Sequence, residues 1–213
     1  MRLAVFDYGA GNLHSLGKAL AAPGVVVSVE TDPLALLAAD AIVLPGVGAF
    51  GAAASRLAPA RTAIATALAS GLPCLGICLG MQLLFDESDE SPGAPGLGVI
   101  GGRVTRLCAR RVPHMGWNTA GDFGAAYFAH SYACRPTDES VVTAWTVEDG
   151  DRFPSAVRWR NVVGVQFHPE KSSTPGVRLI HDFIARAGAA SDILTDQSSG
   201  ALCRIDAPRS GAI

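Results

Sequence analysis

Cys78 is the residue of this chain whose neighbours most favour chemistry, because it lies in the segment Gly-Ile-Cys-Leu-Gly at 76–80. An apolar run precedes it and helix-like residues 81–85 follow, so the sequence predicts a nucleophile elbow, a sharp strand-to-helix turn with cysteine in place of serine. Gly76 and Gly80 would let strand and helix approach closely, and the N–H groups of the helix N-terminus would stabilise a thiolate. The alternative is an ordinary buried core cysteine.

A histidine and a carboxylate follow a second apolar segment. Residues 163–167 have the composition of a buried strand, which leads directly into His168, Pro169 and Glu170. A thiol nucleophile needs a base that moves its proton and an acid that orients the base, and His168 and Glu170 could supply both. Alone, these three residues would more often be a solvated turn. Together with Cys78 they predict a catalytic triad.

A glycine-rich segment follows the short apolar strand expected at 41–44. It reads Leu-Pro-Gly-Val-Gly-Ala-Phe at 44–50, with a glycine on each side of Val47. Attack on a carboxamide creates an oxyanion that needs fixed N–H donors. The Val47 amide and the amide of Leu79, directly after the nucleophile, are the predicted donors. The alternative is a turn that only connects a strand to a helix.

The first half of the chain alternates short apolar strands with helical segments, which predicts an α/β fold: a mostly parallel central sheet with helices on both faces. The expected strands are 3–6, 25–30, 41–44 and 74–78, and the expected helices are 13–22, 32–38, 51–70 and 79–85. Strand-like runs at 99–107, 126–131, 141–147 and 162–167 are expected to add to the same sheet in antiparallel fashion. We expect a last amphipathic helix from Pro175, one domain at 1–187, and a poorly ordered tail at 188–213.

Composition favours a soluble cytoplasmic enzyme without a metal or cofactor. The chain has 213 residues, of which 49% are hydrophobic, and its net charge of −2 gives no reason to expect nucleic acid or an anionic membrane. Its five cysteines are odd in number and lack metal-ligand spacing, which indicates reduced thiols. The start has no signal-peptide pattern, and the longest apolar stretch, 72–85, is too short to span a bilayer.

With these motifs in place, the sequence resembles the class I, triad-type glutamine amidotransferases. Three segments make the resemblance narrower: Asp-Tyr-Gly-Ala-Gly-Asn at 7–12, Pro-His-Met-Gly-Trp-Asn at 113–118 and His-Pro-Glu-Lys-Ser at 168–172. They are similar to the glutaminase subunits of imidazole glycerol phosphate synthase, in the same order from Met1 to about Ala187. The resemblance implies that Cys78, His168 and Glu170 hydrolyse glutamine and that the ammonia passes to a cyclase in histidine biosynthesis.

The same resemblance assigns further residues. Glu90 matches the position that accepts the α-ammonium of glutamine, although its acidic surroundings would by themselves suggest a solvated charge. Other matching positions line the glutamine site: Gly48, Gln82, His130, Ser131 and Tyr132. A further set matches the interface with the cyclase, a (β/α)8 barrel that would form a heterodimer with this chain: Asn12, Trp117, Tyr127 and Lys171. Trp117 could equally be a partly buried core tryptophan, and His114 is not assigned a catalytic role.

Other functions compete with this interpretation. One is another triad glutaminase, such as a subunit serving pyridoxal phosphate synthesis, or a γ-glutamyl hydrolase. A different class is a catalytically inactive binding subunit, which the presence of Cys78, His168 and Glu170 disfavours. The segment 113–118 favours the histidine pathway over the other glutaminases.

Overall fold

The computed structural model describes residues 1–10 and 13–199, with side chains up to Ala189. Its centre is a seven-stranded sheet in the order β10-β11-β12-β4-β3-β1-β2. Five strands are parallel to one another: β1 (Arg2–Phe6), β2 (Val26–Glu30), β3 (Ala41–Leu44), β4 (Cys74–Ile77) and β12 (Val162–Val165). The antiparallel strands β10 (Val142–Glu148) and β11 (Asp151–Trp159) extend one edge.

Helices cover both faces of this sheet. The longer ones are α1 (His14–Leu20), α2 (Phe50–Leu57), α3 (Arg61–Ala69) and α5 (Ser173–Ser199), while α4 (Leu79–Gln82) has only four residues. Alternate residues of β3 belong to opposite cores: Ile42 packs with α2 and α3, and Val43 with α1 and α5. A strand buried on both faces needs an apolar residue at every position, which explains the uninterrupted run Ala-Ile-Val-Leu at 41–44. The expected fold class is confirmed.

Two expectations about strand pairing are wrong. The runs at 99–107 and 126–131 do not join the main sheet. The first contains β6 (Gly102–Arg106), which lies between β5 (Glu87–Ser88) and β9 (Tyr132–Pro136), and the second contains β8 (Ala125–His130), which pairs with β7 (His114–Thr119). The run at 162–167 does join the main sheet, but β12 is parallel to β4. Alternation in sequence identifies a strand, whereas its partner depends on distant packing.

The C-terminal helix also differs from the expectation. It begins at Ser173, ahead of Pro175, and it continues to Ser199, past the domain boundary expected at 187. Its buried residues Ile180, Phe183, Ile184 and Ala187 pack against the sheet. Residues 188–199 are therefore helical where we expected a poorly ordered tail, and residues 200–213 lie outside the described part of the chain. No helix within 1–10 and 13–199 combines the length and apolarity needed to cross a bilayer.

Two glycines set the approach of α4 to the sheet. A Cβ atom at Gly80 would overlap the carbonyl oxygen of Leu44 in β3, and one at Gly76 would lie 2.7 Å from the carbonyl oxygen of Gly80. Neither position has room for a Cβ atom, so the backbones of α4, β3 and β4 are in direct contact. The close strand–helix approach expected from the sequence is confirmed.

Gly80→Ala is expected to lower the free energy of unfolding by about 1–3 kcal/mol, because the added methyl must displace the backbone of Leu44. Chemical denaturation measures this change. Gly17→Ala is the matched control, since it makes the same change in helix α1 where a Cβ would meet no atom within 4 Å. The control is expected to gain roughly 0.5–1 kcal/mol from helix propensity. Equal stabilities of the two variants would contradict the close contact.

Candidate active site

Cys78 occupies a strained turn between β4 and α4. Its φ of 48° and ψ of −104° place a non-glycine residue at positive φ, which costs about 1–3 kcal/mol and persists only where the surroundings hold it. The Cys78 N–H donates to the carbonyl of Val165 in β12 at 2.7 Å. The side chain is only 6% exposed and lies at the N-terminus of α4. This geometry is that of the elbow predicted from the sequence.

His168 and Glu170 form the second part of the site. The Nδ1–H of His168 donates to Oε1 of Glu170 at 2.8 Å, which leaves Nε2 for Cys78. Burial by itself lowers the pKa of His168, but its hydrogen bonds with Cys78 and Glu170 outweigh burial and raise the pKa to about 10. His168 is therefore a cation near neutral pH. A cation facing the sulfur stabilises a thiolate, which is the reactive form of cysteine.

Hydrogen bonds fix the turn that carries His168. The hydroxyl of Ser172, which is fully buried, donates to the carbonyl of His168 at 2.7 Å and accepts the N–H of Tyr127 at 2.9 Å. The His168 N–H donates to the carbonyl of Tyr127 at 2.8 Å. Strand β8 thus holds the histidine turn in place, although it lies outside the central sheet.

The glycine-rich segment after β3 lies directly against the triad. A Cβ at Gly46 would be 2.8 Å from Cβ of Cys78 and 2.9 Å from Cε1 of His168, so only glycine fits there. Val47 follows and is partly buried against the α2–α3 core. Leu79 is the first residue of α4, and its N–H has no acceptor within the helix. Both predicted oxyanion donors thus belong to backbone next to Cys78, and their role stays a prediction.

Glu90 is held at the end of that glycine-rich segment. Its Oε2 accepts the N–H of Phe50 at 2.9 Å, and the hydroxyl of the next residue, Ser91, accepts the N–H of Gly51 at 3.0 Å. These two acceptors satisfy N–H groups at the start of α2. Glu90 is half-buried and bonded, in contrast to the freely solvated charge that its acidic neighbours suggested. Within the described part of the chain, no hydrogen bond is formed by its second carboxylate oxygen.

Gln166 is a site residue that sequence reasoning missed. It follows β12, is fully buried, and its side-chain N–H donates to Sγ of Cys78 at 3.6 Å. Its Oε1 accepts from Gln82 at 3.4 Å, and Gln82 also donates to the carbonyl of Tyr132 at 2.9 Å. The signal in the sequence is an amide residue inside the apolar run 163–167. Gln82 and Tyr132 are thereby joined to the cysteine, and their place in the substrate site stays a prediction.

A pair of buried histidines continues this network. The Nδ1–H of His130 donates to the carbonyl of Tyr132 at 2.9 Å, so Nε2 of a neutral His130 accepts from Nδ1 of His114 at 3.1 Å. Burial lowers the pKa of His130 to about 3. Burial also lowers the pKa of His114, with Glu148 opposing it, and a neutral His114 accepts from Asn118 at 3.3 Å. The network runs from half-buried Glu148 to the predicted glutamine site.

Trp117, Tyr127 and Lys171, which are predicted to contact a partner, lie on the surface of the β7–β8 hairpin and beside it. Lys171 places its ammonium 5.9 Å from the ring centre of Tyr127, and that ring meets Trp117 edge-on at 6.1 Å. Trp117 is 55% exposed and its neighbour Met115 is 64% exposed, so Trp117 is not a core residue. Asn12 lies outside the described residues. The carbonyl oxygen of Ser131 accepts a hydrogen bond from the N–H of Leu107 at 2.9 Å.

Comparison with known proteins assigns the family. The family model for class-I glutamine amidotransferases matches residues 4–187. The chain is 44% identical over 196 residues to imidazole glycerol phosphate synthase subunit HisH of Pyrococcus furiosus, covering 85% of this chain and 97% of the relative. It is 43% identical over 205 residues to the HisH subunit of Bacillus subtilis, covering 87% and 96%. The chain belongs to the class I glutamine amidotransferases, in the HisH family.

Solved structures agree with the fold of this amidotransferase. A crystal structure described as a glutamine amidotransferase superposes with a TM-score of 0.70 at 22% identity, covering 87% of this chain and 98% of the other. The PurLQS structure from Thermotoga maritima gives 0.65 at 20% identity, covering 87% and 97%. At these identities the likeness concerns the fold alone.

Among the described residues of the amidotransferase, no group of three or more acidic, histidine or cysteine side chains is placed to hold a metal ion.

The pKa values of His168 and His130 are expected to be shifted in opposite directions from the ordinary value. His168 should stay cationic up to a pKa of about 10, and His130 should stay neutral down to about 3, so neither changes charge near neutral pH. Nuclear magnetic resonance of labelled histidine side chains measures both. Cys78→Ala and Glu170→Gln should each lower the pKa of His168, because each removes a partner that raises it. A wild-type His168 that titrates near 6.5 would contradict the ion-paired geometry.

Proposed function

We propose that this chain is the glutaminase subunit of an imidazole glycerol phosphate synthase. The observation that carries the proposal is the buried Cys78–His168–Glu170 arrangement in a chain that is 43–46% identical, over most of its length, to subunits of that name. The overall reaction is the hydrolysis of glutamine to glutamate and ammonia. The ammonia then serves a second reaction in a partner subunit.

The first half of the reaction forms a thioester. The thiolate of Cys78 attacks the side-chain carboxamide carbon of glutamine and forms a C–S bond, while the carbonyl oxygen becomes an oxyanion. The amides of Val47 and Leu79 would stabilise that oxyanion. The C–N bond then breaks as the imidazolium of His168 gives its proton to the departing nitrogen, so ammonia leaves. Glu170 keeps the imidazole in the required orientation.

The second half regenerates the enzyme. Neutral His168 takes a proton from water, and the resulting hydroxide attacks the γ-glutamyl thioester. The C–S bond breaks, glutamate leaves, and Cys78 returns as a thiolate beside protonated His168. The high pKa of His168 suits this cycle, because the imidazole returns to its cationic form beside the sulfur that begins the next turnover.

Residues around the triad would recognise free glutamine. The free oxygen of Glu90 is suited to the α-ammonium group, since its other oxygen is already held by the N–H of Phe50. Gly48, Gln82, His130, Ser131 and Tyr132 would complete the site. A neutral His130 adds no charge there, which leaves Glu90 to discriminate the ammonium.

The partner would be a cyclase with a (β/α)8 barrel, bound as a heterodimer on the surface that carries Trp117, Tyr127 and Lys171. Exposed aromatic anchors next to a cation are typical interface hot spots. The ammonia would react there with a phosphoribulosyl formimino carboxamide ribonucleotide and yield imidazole glycerol phosphate and aminoimidazole carboxamide ribotide. The whole complex would act as a lyase of histidine biosynthesis in the cytoplasm, a location that stays a prediction.

Substitutions in the triad are expected to reduce glutamine hydrolysis without affecting the reaction that uses added ammonia. His168→Ala should reduce glutamine hydrolysis by about 10²-fold or more, because the proton transfers are lost. Glu170→Ala should reduce it less, since the carboxylate orients the base without transferring the proton. Turnover of the complex with added ammonia should survive both changes. If Glu170→Ala kept full glutamine-dependent activity, Glu170 would have no place in the triad.

Labelling identifies the nucleophile independently. A glutamine analogue that alkylates thiols is expected to modify Cys78, and mass spectrometry locates the adduct. Cys108→Ala is the control, because Cys108 is an exposed thiol of the described chain and its removal should leave the labelling unchanged. Modification at another cysteine with Cys78 intact would refute the assignment.

The partner is expected to activate the glutaminase. Gly46 and Gly48 flank Val47 and give its amide two backbone alternatives, one facing the oxyanion and one turned away. A cyclase that contacts Asn12 and Lys171 differently in the two states would bias them, with a coupling typically about 1–3 kcal/mol in binding. Glutamate release should be slow for the chain alone and fastest for the complex with the cyclase ligand. Equal turnover in the free chain, the complex and the liganded complex would exclude allosteric control and favour a stand-alone glutaminase.

A further inference from the structure

A second cavity lies away from Cys78, between helix α5 and strands β11 and β12. Its volume is about 420 Å³, and neither Cys78 nor His168 belongs to its lining. Apolar side chains form much of its wall, among them Val163 and Val165 of β12 and Leu179 and Phe183 of α5. Small-molecule sites are typically concave, mostly apolar and roughly 300–1,000 Å³ in volume, so this cavity has the size and lining of one.

Arginines dominate the charge of this cavity. Arg158 and Arg160 come from β11 and the turn after it, and Arg178 and Arg186 come from α5, against the single carboxylate of Asp182. Residues 178, 182 and 186 recur every four positions, so they share one face of the helix. The cavity therefore carries an excess of positive charge.

This positive charge is not neutralised within the described chain. Arg158, Arg178 and Arg186 form no ion pair among the described residues, whose arginine pairs involve other positions. Burial and the nearby Arg186 both lower the pKa of Arg158, so the two guanidinium groups are close enough to repel each other. Both side chains are exposed at the rim of the cavity, where solvent screens much of their repulsion, so an anion between them would gain chiefly from charge-assisted hydrogen bonds.

We propose that this cavity binds a small organic anion, with its apolar body against β12 and α5 and its carboxylate or phosphate group between Arg158 and Arg186. Guanidinium groups bind both anions through paired N–H donors, which explains why the cavity uses arginine at its edge. The cavity is partly open to solvent, and its volume of about 420 Å³ lies in the range of small-molecule sites. The cavity does not include Cys78 or His168, although its wall contains Val165, whose carbonyl accepts the Cys78 N–H.

Three probes separate the two parts of this site. Isothermal titration of the full chain would compare 1-naphthoate, which has an apolar body and a carboxylate, with 1-naphthalenemethanol, which lacks the charge, and with acetate, which lacks the body. We expect naphthoate to bind at least about tenfold more tightly than naphthalenemethanol, because one charge-assisted contact is worth that much. We also expect it to bind at least about tenfold more tightly than acetate, because acetate buries no aromatic surface. Equal affinity for naphthoate and naphthalenemethanol would overturn the proposal.

Substitutions locate the binding. Arg158→Gln with Arg186→Gln should weaken naphthoate about tenfold or more and leave naphthalenemethanol unchanged. Ala156→Leu, which adds bulk at the cavity wall, should weaken the binding of both aromatic probes.

The charge-matched control is Arg106→Gln with Arg110→Gln, two exposed arginines outside the cavity, which should leave all affinities unchanged. Thermal unfolding by circular dichroism checks that each variant is folded. Naphthoate affinity that survives the first pair of changes, or that falls equally in the control, would overturn the proposal.

Discussion

Direct backbone contact between α4 and the strands beneath it is the constraint on which the site depends. Gly76 and Gly80 allow that contact, and it holds Cys78 at a positive φ that the residue would otherwise avoid. Strands β12, β4 and β3 are neighbours, so their carboxyl ends bring together the histidine turn, the cysteine elbow and Gly46. In parallel α/β sheets this edge is where ligands bind. The triad is thus a consequence of strand order combined with three short turns.

The two histidines of the site have opposite charge states although both are buried. Both are almost inaccessible to solvent, so desolvation alone would keep each of them neutral. His168 has Cys78 and Glu170 as partners and becomes a cation, whereas His130 bonds a backbone carbonyl and another histidine and stays neutral. Removing one partner of a buried charge leaves the other uncompensated. The cysteine, the histidine and the glutamate are therefore coupled as one unit, and the neutral pair beside them limits the positive charge at the sulfur.

Local motifs could be predicted from the sequence and distant contacts could not. The elbow, the His-Pro-Glu turn and the parallel strands each depend on neighbouring residues, and glycines or apolar runs mark them. Of the hairpin β7–β8, only β8 was predicted. The apolar residues Met115 and Trp117 of β7 are exposed to solvent, so this strand lacks the buried apolar run that marks a core strand. Gln166 was missed because one amide in an apolar run has no spacing that marks a function. The pairing of His114 with His130 depends on the register of that hairpin, which a single sequence does not specify.

In the proposed function, Glu90 would link recognition of the substrate to the shape of the predicted oxyanion segment. One oxygen of its carboxylate holds the N–H of Phe50, where α2 begins and the segment 46–49 ends. In the proposed reaction the other oxygen receives the α-ammonium of glutamine, so one rigid group anchors both the substrate and the end of the backbone that must face the oxyanion. Gly48, at a φ of 97°, lies between this anchor and Val47, and it is the point at which that backbone can rotate. With one end of the segment fixed, the Val47 peptide would be the movable part, and in the proposed function it is where the partner subunit would act.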